Sequence, residues 1–431
     1  MARSGTDPFT AYTGSQSNKR FYHSVSLEPD YCIGCLNCIK RCPTEAVRLS
    51  GDERRAVIIP DFCIDCGECV RQCPHDAHVV SMDTMDALES FDYRVALPHP
   101  ALYGQYNNLK DINILLTAFT MIGFDDVFEP SAAAELVSAA SRRYVDQHRE
   151  DWPLISSACP TVVRLIRIRF PNLLEHLLPM YSPMEVAGEL ARKRAAEKTG
   201  LAPERVGVFY ISPCPSKAAA VKSPVAGGKS HVDGVLAIKD IYPLLLAVMP
   251  EAQKAPKEYS LSGSVGVGWS CTGGECKGQG HSHYVAADGI ENVIRVLEDL
   301  EDEKLVDNVK FIELRSCPGG CVGGVLNVEN PYVASAKLAR LRKHLPMYRS
   351  FHGDFPERPH FTFSEEIDFQ PVYEIGRTMA ESMRAMAEVD RILAVLPGLD
   401  CGMCGCPTCR CQAEDMVRYG IDCRCMNMSR K

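Results

Sequence analysis

Twenty-one cysteines in a chain of 431 residues are the first candidates for chemistry. They fall in a dense block from Cys32 to Cys73, a sparse set from Cys159 to Cys321, and a second dense block from Cys401 to Cys425. In a reducing cytosol so many thiols read as metal ligands and not as a disulfide framework. The first block is an internal repeat: YCIGCLNCIKRCP from Tyr31 returns as FCIDCGECVRQCP from Phe62, offset by 31 residues. Self-similarity of this kind implies two copies of one small unit.

Cys32, Cys35, Cys38 and Cys42 follow C-x2-C-x2-C-x3-C-P, and Cys63, Cys66, Cys69 and Cys73 repeat it. This is the bacterial two-cluster ferredoxin spacing, in which the fourth cysteine of each run serves the other cluster. One 4Fe-4S cluster is expected on Cys32, Cys35, Cys38 and Cys73, the other on Cys63, Cys66, Cys69 and Cys42, with zinc knuckles as the bland alternative. In the last block, CGMCGCPTC supplies Cys401, Cys404 and Cys409. It resembles the small 4Fe-4S domain of the corrinoid iron-sulfur protein, whose pattern is CGxCGxPxC followed by a helix and a last cysteine. Here the spacing to that last ligand is shorter, so Cys423 and Cys425 compete for it; Cys406 and Cys411 look like spares. A zinc site on the same thiolates is the alternative.

Four isolated cysteines sit in SSACP (Cys159), SPCPSK (Cys214) and ELRSCPGGCVGG (Cys317 and Cys321). Singly, each reads as a buried core thiol. Together, with WSCTGG between the second and third, their order and Pro/Gly flanks resemble the three signature motifs of the iron-only (FeFe) hydrogenases. The resemblance implies that Cys159, Cys214, Cys317 and Cys321 hold a cubane, with Cys321 also bridging to a di-iron unit that carries CO, CN and azadithiolate ligands. It implies further that Pro213, Cys214 and Lys217 serve the cofactor, Lys217 by hydrogen-bonding a cyanide, and that Gly320 and Gly323 let backbone approach the cluster.

Several positions depart from the fast members of that family. Ala158 stands where they have a proton-passing cysteine, Ser212 and Arg315 replace two pocket methionines, and Ala220 falls at a glutamate position. An alanine cannot relay a proton. The acidic pair of the usual proton route is not recognisable in AAAELVSAASRRY, from Ala132 to Tyr144. Glu275 and Cys271 are the nearby polar groups that could substitute, with a solvated carboxylate and a spare buried thiol as the ordinary reading. The combination resembles the sensory hydrogenases without a PAS domain. The function expected is slow, reversible H2 oxidation and proton reduction, sensory or electron-relaying. The alternative is a non-catalytic relative without the di-iron site, used in cluster assembly, electron transfer or signalling. A redox protein such as ferredoxin, or a signalling protein, is the implied partner.

These residues need a scaffold. Apolar runs at Val206–Ser212, Val265–Ser270 and Val309–Arg315 read as strands, and Ser182–Lys198, Ile290–Leu300 and Tyr373–Leu396 as helices, an α/β pattern with chemistry at strand ends. The expected fold is an α/β H-cluster domain, two-lobed and doubly wound (83–350), preceded by an α+β two-cluster ferredoxin domain (28–82). A disordered tail (1–27) lies before it, and a connector (351–372) leads to a helix and small helical 4Fe-4S domain (373–431). The longest apolar stretch, Ile241–Met249, is broken by Pro243 and falls short of the roughly 18 residues of a membrane span. With no signal-peptide pattern at the start, the chain reads as cytoplasmic. A formal net charge of -8 argues against nucleic-acid binding.

Overall fold

The computed structural model describes residues 22–50, 53–225, 227–280, 282–305, 308–350, 359–363, 365–420 and 425–427. Met82–Asp368 form one compact unit, and the described residues before and after it form a second. Most of the expected tail, the start of the connector and Cys423 lie outside the described residues.

The larger unit is organised by two all-parallel sheets. One has the order β6 (Asp126–Val127), β5 (Tyr93–Pro98), β8 (Val206–Ser212), β9 (Gly234–Ala237). The other runs β10 (Tyr284–Asp288), β11 (Phe311–Arg315), β7 (Leu154–Ile155). Strands β8 and β11 are buried along their whole length, which is why they read as unbroken apolar runs in place of an alternating pattern. Proline at the first helical position opens the helices Pro130–Gln147, Pro160–Arg169, Pro183–Thr199 and Pro331–Arg342, where its missing N–H costs no helical hydrogen bond.

Segment 265–270, expected as a strand, is instead the short helix Ser264–Gly268. Its V-G-V-G alternation imitates a strand, but the glycines serve close packing. A Cβ on Gly266 would lie 2.0 Å from the Ser131 carbonyl of the helix Pro130–Gln147. From that helix the Glu135 carboxylate accepts N–H bonds from Gly263 and Gly266 on one oxygen and from Arg349 and Ser350 on the other. The acidic residue in the 132–144 segment is therefore a structural anchor.

In the smaller unit, residues 25–27, read as tail, form β1 (Val25–Leu27), antiparallel to β4 (His78–Val80). β2 (Val47–Leu49) pairs antiparallel with β3 (Ala56–Ile58), and the two one-turn helices are Asn37–Arg41 and Glu68–Gln72. The expected helix over 373–396 begins at Met379, because Thr378 caps it by accepting the Glu381 N–H, and it ends at Val395. The helix Cys409–Tyr419 packs on it and returns to β2, where Asp415 takes a buried ion pair from Arg48 at 2.6 Å. Among the described residues no helix is long and apolar enough to cross a membrane.

Glu135→Ala would strand four backbone donors, each costly to leave unpaired in the interior. The expected loss is about 3 kcal/mol in denaturant unfolding; a loss within experimental error would show that solvent replaces the carboxylate.

Candidate functional site

The carboxyl ends of the parallel strands carry the middle cysteines. Cys159 follows β7 and is the N-cap of the helix Pro160–Arg169. Cys214 follows β8, where the Ser212 hydroxyl donates to the Cys214 carbonyl at 2.8 Å and accepts its N–H at 3.2 Å. Ser212 thus shapes the turn that presents the thiol. Cys317 and Cys321 follow β11, and Ser316 Oγ lies 3.7 Å from the Sγ atoms of both Cys159 and Cys317. Burial and the nearby Cys214 and Cys159 thiols push the Cys321 thiol up to about 12, against the cations of Arg315 and Lys217. The structure therefore brings all four cysteines to one place, a donor set whose soft chemistry fits iron-sulfur ligation.

The loops are fixed to one another by backbone. Leu326 N–H donates to the Pro213 carbonyl at 3.0 Å, Thr272 N–H to Gly319 at 3.2 Å, and Val322 N–H to Ser270 at 3.1 Å. A Cβ on Gly324 would fall 2.2 Å from the Pro213 carbonyl and one on Gly323 1.9 Å from that of Pro318, while Gly320, at φ +92°, backs onto Thr272. The glycines expected to make room for a cofactor make room first for neighbouring backbone.

Beside Cys321 lies a cavity walled by Ala158, Lys217, His99, Tyr210 and Arg315. The Lys217 ammonium donates to the Ala158 carbonyl at 3.1 Å. Burial, with Lys217 and Arg315, holds the His99 imidazole well below its ordinary value, so the two cations are the charge of this wall. A wider pocket containing Ser182, Glu185 and Ser230 shares Ala158, Met184 and Lys217 with the cavity.

Behind Ala158 runs a polar chain. Its N–H donates to Ser156 Oγ at 3.2 Å, and that hydroxyl donates to Glu275 Oε2 at 2.7 Å. Arg315 joins Glu275 at 2.9 Å and Glu313 at 3.2 Å, with its guanidinium 5.3 Å from the Trp269 ring centroid. Burial raises Glu275 to about 7, with Arg315 opposing and Glu313 assisting. Cys271, paired with Glu275 on sequence grounds, turns away: its thiol meets Ser335 at 3.8 Å and packs on the apolar cluster containing Val322. Ser156 and the buried role of Arg315 escaped sequence reasoning; the doubled serine before Ala158 was the available signal.

In the smaller unit, Cys32, Cys35, Cys38 and Cys73 line one cavity, and burial with Cys32, Cys35 and Cys73 pushes the Cys38 thiol up to about 12. Burial, then Cys42, Cys69 and Cys63 raise Cys66. The fourth cysteine of each run thus meets the other run. Backbone N–H groups of Ala56, Ala46 and Ala77 donate to the sulfurs of Cys32, Cys42 and Cys73 at 3.3, 3.1 and 3.3 Å, a pattern suited to thiolates. Of the last block, Cys401 accepts from Asn427 at 3.1 Å, and a bond from Cys406 draws Cys404 down to about 6. Cys409 donates its N–H to Asp400, and Cys425 is half-buried. Cys406 and Cys411, read as spares, are buried together against Asp415.

The sequence profile of the family described as the iron only hydrogenase large subunit, C-terminal domain, matches residues 93–278 and 270–325, more than half of the chain. The chain belongs to this hydrogenase family. A 4Fe-4S dicluster domain matches residues 24–74, as the repeat requires. The periplasmic Fe hydrogenase large subunit of Nitratidesulfovibrio vulgaris is 27% identical over 360 residues, covering 70% of this chain and 86% of the relative. Iron hydrogenase 1 of Clostridium pasteurianum is 25% identical over 262 residues, 49% of this chain. The chain spans only 44% of that relative's length. Cytosolic Fe-S cluster assembly factors of Drosophila mojavensis and Mycosarcoma maydis match at 23% and 21% identity. A solved FeFe-hydrogenase structure, at 15% identity and a TM-score of 0.52, covers 67% of this chain and 98% of its own, and shows the shared fold. The iron-sulfur character of this hydrogenase-family chain rests on the two profiles and on its convergent thiols.

Gly324→Ala is expected to push the third motif off Pro213. Iron content after anaerobic reconstitution should then drop by about four per chain, while Gly228→Ala, which at φ +71° strains only an exposed loop where a Cβ meets nothing within 4 Å, leaves it unchanged. Equal iron in both would refute this role for the close approach.

Proposed function

We propose that this hydrogenase-family protein catalyses slow, reversible H2 ⇌ 2H+ + 2e- in a sensory or electron-relaying capacity. The observation that carries the reading is the cavity beside Cys321, walled by two fixed cations and sharing Ala158 and Lys217 with a second pocket. Cys159, Cys214, Cys317 and Cys321 would hold a cubane, and Cys321 would also serve a di-iron unit with CO, CN and azadithiolate ligands. That group, when bound, supplies heterolytic cleavage of H2.

The chain's own residues bind, orient and handle protons. Lys217, held by the Ala158 carbonyl, presents an ammonium to bound cyanide, for which a positive donor in a dry site is the natural complement. Arg315, clamped by Glu275 and Glu313, gives the cavity a second fixed positive charge. Without a thiol at position 158, the proton-bearing groups behind Ala158 are Glu275 and the Ser156 hydroxyl, in hydrogen-bond contact at 2.7 Å, and Arg315 ties Glu275 to the cavity wall. A carboxyl raised to about 7 can both give and take a proton near neutrality. Cys271 has no place in that route.

Cys32, Cys35, Cys38 and Cys73 would hold one ferredoxin-type cluster and Cys63, Cys66, Cys69 and Cys42 the other, and these would supply electron transfer to and from the cubane. A further cluster would be held by Cys401, Cys404, Cys409 and Cys425 or Cys423. A cytoplasmic redox or signalling protein is the partner that so many clusters would serve.

Infrared bands of CO and CN on the matured protein, with dye-linked H2 evolution, test the reading. Absent bands in iron-replete protein would leave the non-catalytic alternative, to which the assembly-factor relatives also point. Ala158→Cys should raise evolution at least about tenfold, as a positioned acid does; an unchanged rate sinks the reason given for slowness. Evolution should fall as pH rises through about 7, as the acid form of Glu275 is lost. Glu275→Gln should erase that inflection and cost about 100-fold.

A further inference from the structure

Outside the hydrogenase-like site, three donor side chains converge in the smaller unit. Cys406 Sγ lies 3.7 Å and Cys411 Sγ 3.8 Å from the same oxygen, Asp415 Oδ2. All three atoms fall within 4.8 Å of one another and all three residues are buried. Local structure explains the convergence. Cys411 and Asp415 are four apart on the helix Cys409–Tyr419 and share a face, and Thr408 caps that helix on the Cys411 N–H at 3.0 Å, which turns the preceding Cys406 back over it.

We propose that Cys406, Cys411 and Asp415 form a mononuclear site for a thiophilic divalent cation of the zinc class, separate from the iron-sulfur clusters. The distances fit such an ion. Bonds of about 2.3 Å to sulfur and about 2.1 Å to oxygen at tetrahedral angles place sulfur and oxygen ligands about 3.6 Å apart and two sulfurs about 3.8 Å apart. The two sulfur–oxygen distances, 3.7 and 3.8 Å, need to change by only tenths of an ångström, and the two sulfurs lie within 4.8 Å of each other. Thiolates select borderline and soft ions over magnesium or calcium, whose ligands are oxygens.

Charge and orientation agree. Arg48 donates Nε to Asp415 Oδ2 at 2.6 Å and Nη2 to Oδ1 at 3.3 Å, so it balances the carboxylate and fixes its plane, as partners of metal-binding carboxylates do. Two thiolates then offset the cation, and nothing charged is left over in the interior. Glu45, which accepts from Thr408 at 3.2 Å and also bonds the Cys411 thiol, stands beside the three donors. Arg48 and Glu45 lie in and next to the ferredoxin strand β2. The ion would therefore pin the last cysteine block to the ferredoxin fold.

The full chain, reconstituted anaerobically with iron and sulfide and then dialysed with Zn2+, is analysed for both metals beside a Cys406→Ser/Cys411→Ser variant. The expected result is about one zinc per chain in the parent, lost in the variant with iron content unchanged. Loss of about four irons in the variant would assign these thiols to a cluster and overturn the proposal. So would a parent that holds no zinc and yields a Cys406–Cys411 disulfide on mass mapping. If the variant fails to fold, Co2+ added to the iron-loaded parent decides: thiolate-to-cobalt absorption that Zn2+ abolishes supports the site, and its absence refutes it.

Discussion

Backbone pressed on backbone is the constraint from which the hydrogenase-like site follows. Three loops leave the ends of strands in two different sheets, and each carries thiols that must meet within a few ångströms. They can meet only because Gly323 and Gly324 admit the carbonyls of Pro318 and Pro213 where a methyl group would collide. N–H bonds from Leu326, Thr272 and Val322 then lock the loops in that contact. The cysteines are positioned by the rigidity of the whole assembly and not by the conformation of any single loop.

Around this frame, burial sets the electrostatics. Lys217 and Arg315 are cations with little water, tolerable because each is tied to an oxygen of the protein. Two carboxylates face one guanidinium, and the low dielectric makes a surplus negative charge expensive, which is why Glu275 retains its proton into the neutral range. Ala158 carries no proton of its own to offer the cavity. Ser156 and Glu275 stand directly behind the same backbone position, so the inert methyl and the buried acid belong to one wall.

Much of this was legible in the residues. The repeat at Tyr31 and Phe62 announced paired cluster loops, and strand ends at Ser212 and Arg315 located the chemistry, because ligand spacing and buried parallel strands leave plain patterns. The glycine alternation over 265–270 misled, since glycine spacing records close approach as readily as it records a strand. Arg315 was legible as a departure from the family but not as a clamp, because its partners Glu275 and Glu313 are brought to it by tertiary folding. The pairing of Cys406 with Cys411 was hidden in the same way: a helical turn and the distant Arg48 create it. Cys271 had the right neighbours in sequence and the wrong ones in space.

The last cysteine block is also held by main chain. Leu49 N–H donates to the Gly405 carbonyl at 2.9 Å, Lys40 Nζ to that of Pro407 at 2.8 Å, and Gly405, at φ +96°, comes within 2.8 Å of Leu49 in Cβ terms. These contacts splice the block onto the edge of the ferredoxin sheet, although more than 350 residues separate the two in the chain. The spacing of the two cysteine blocks is then a property of one small folded body. The stretch between Phe369 and the Cys401 loop is part of that body, since Tyr373 donates to the Thr44 carbonyl at 3.1 Å and the helix Met379–Val395 packs on the helix Cys409–Tyr419, so an insertion there would be felt by both blocks at once.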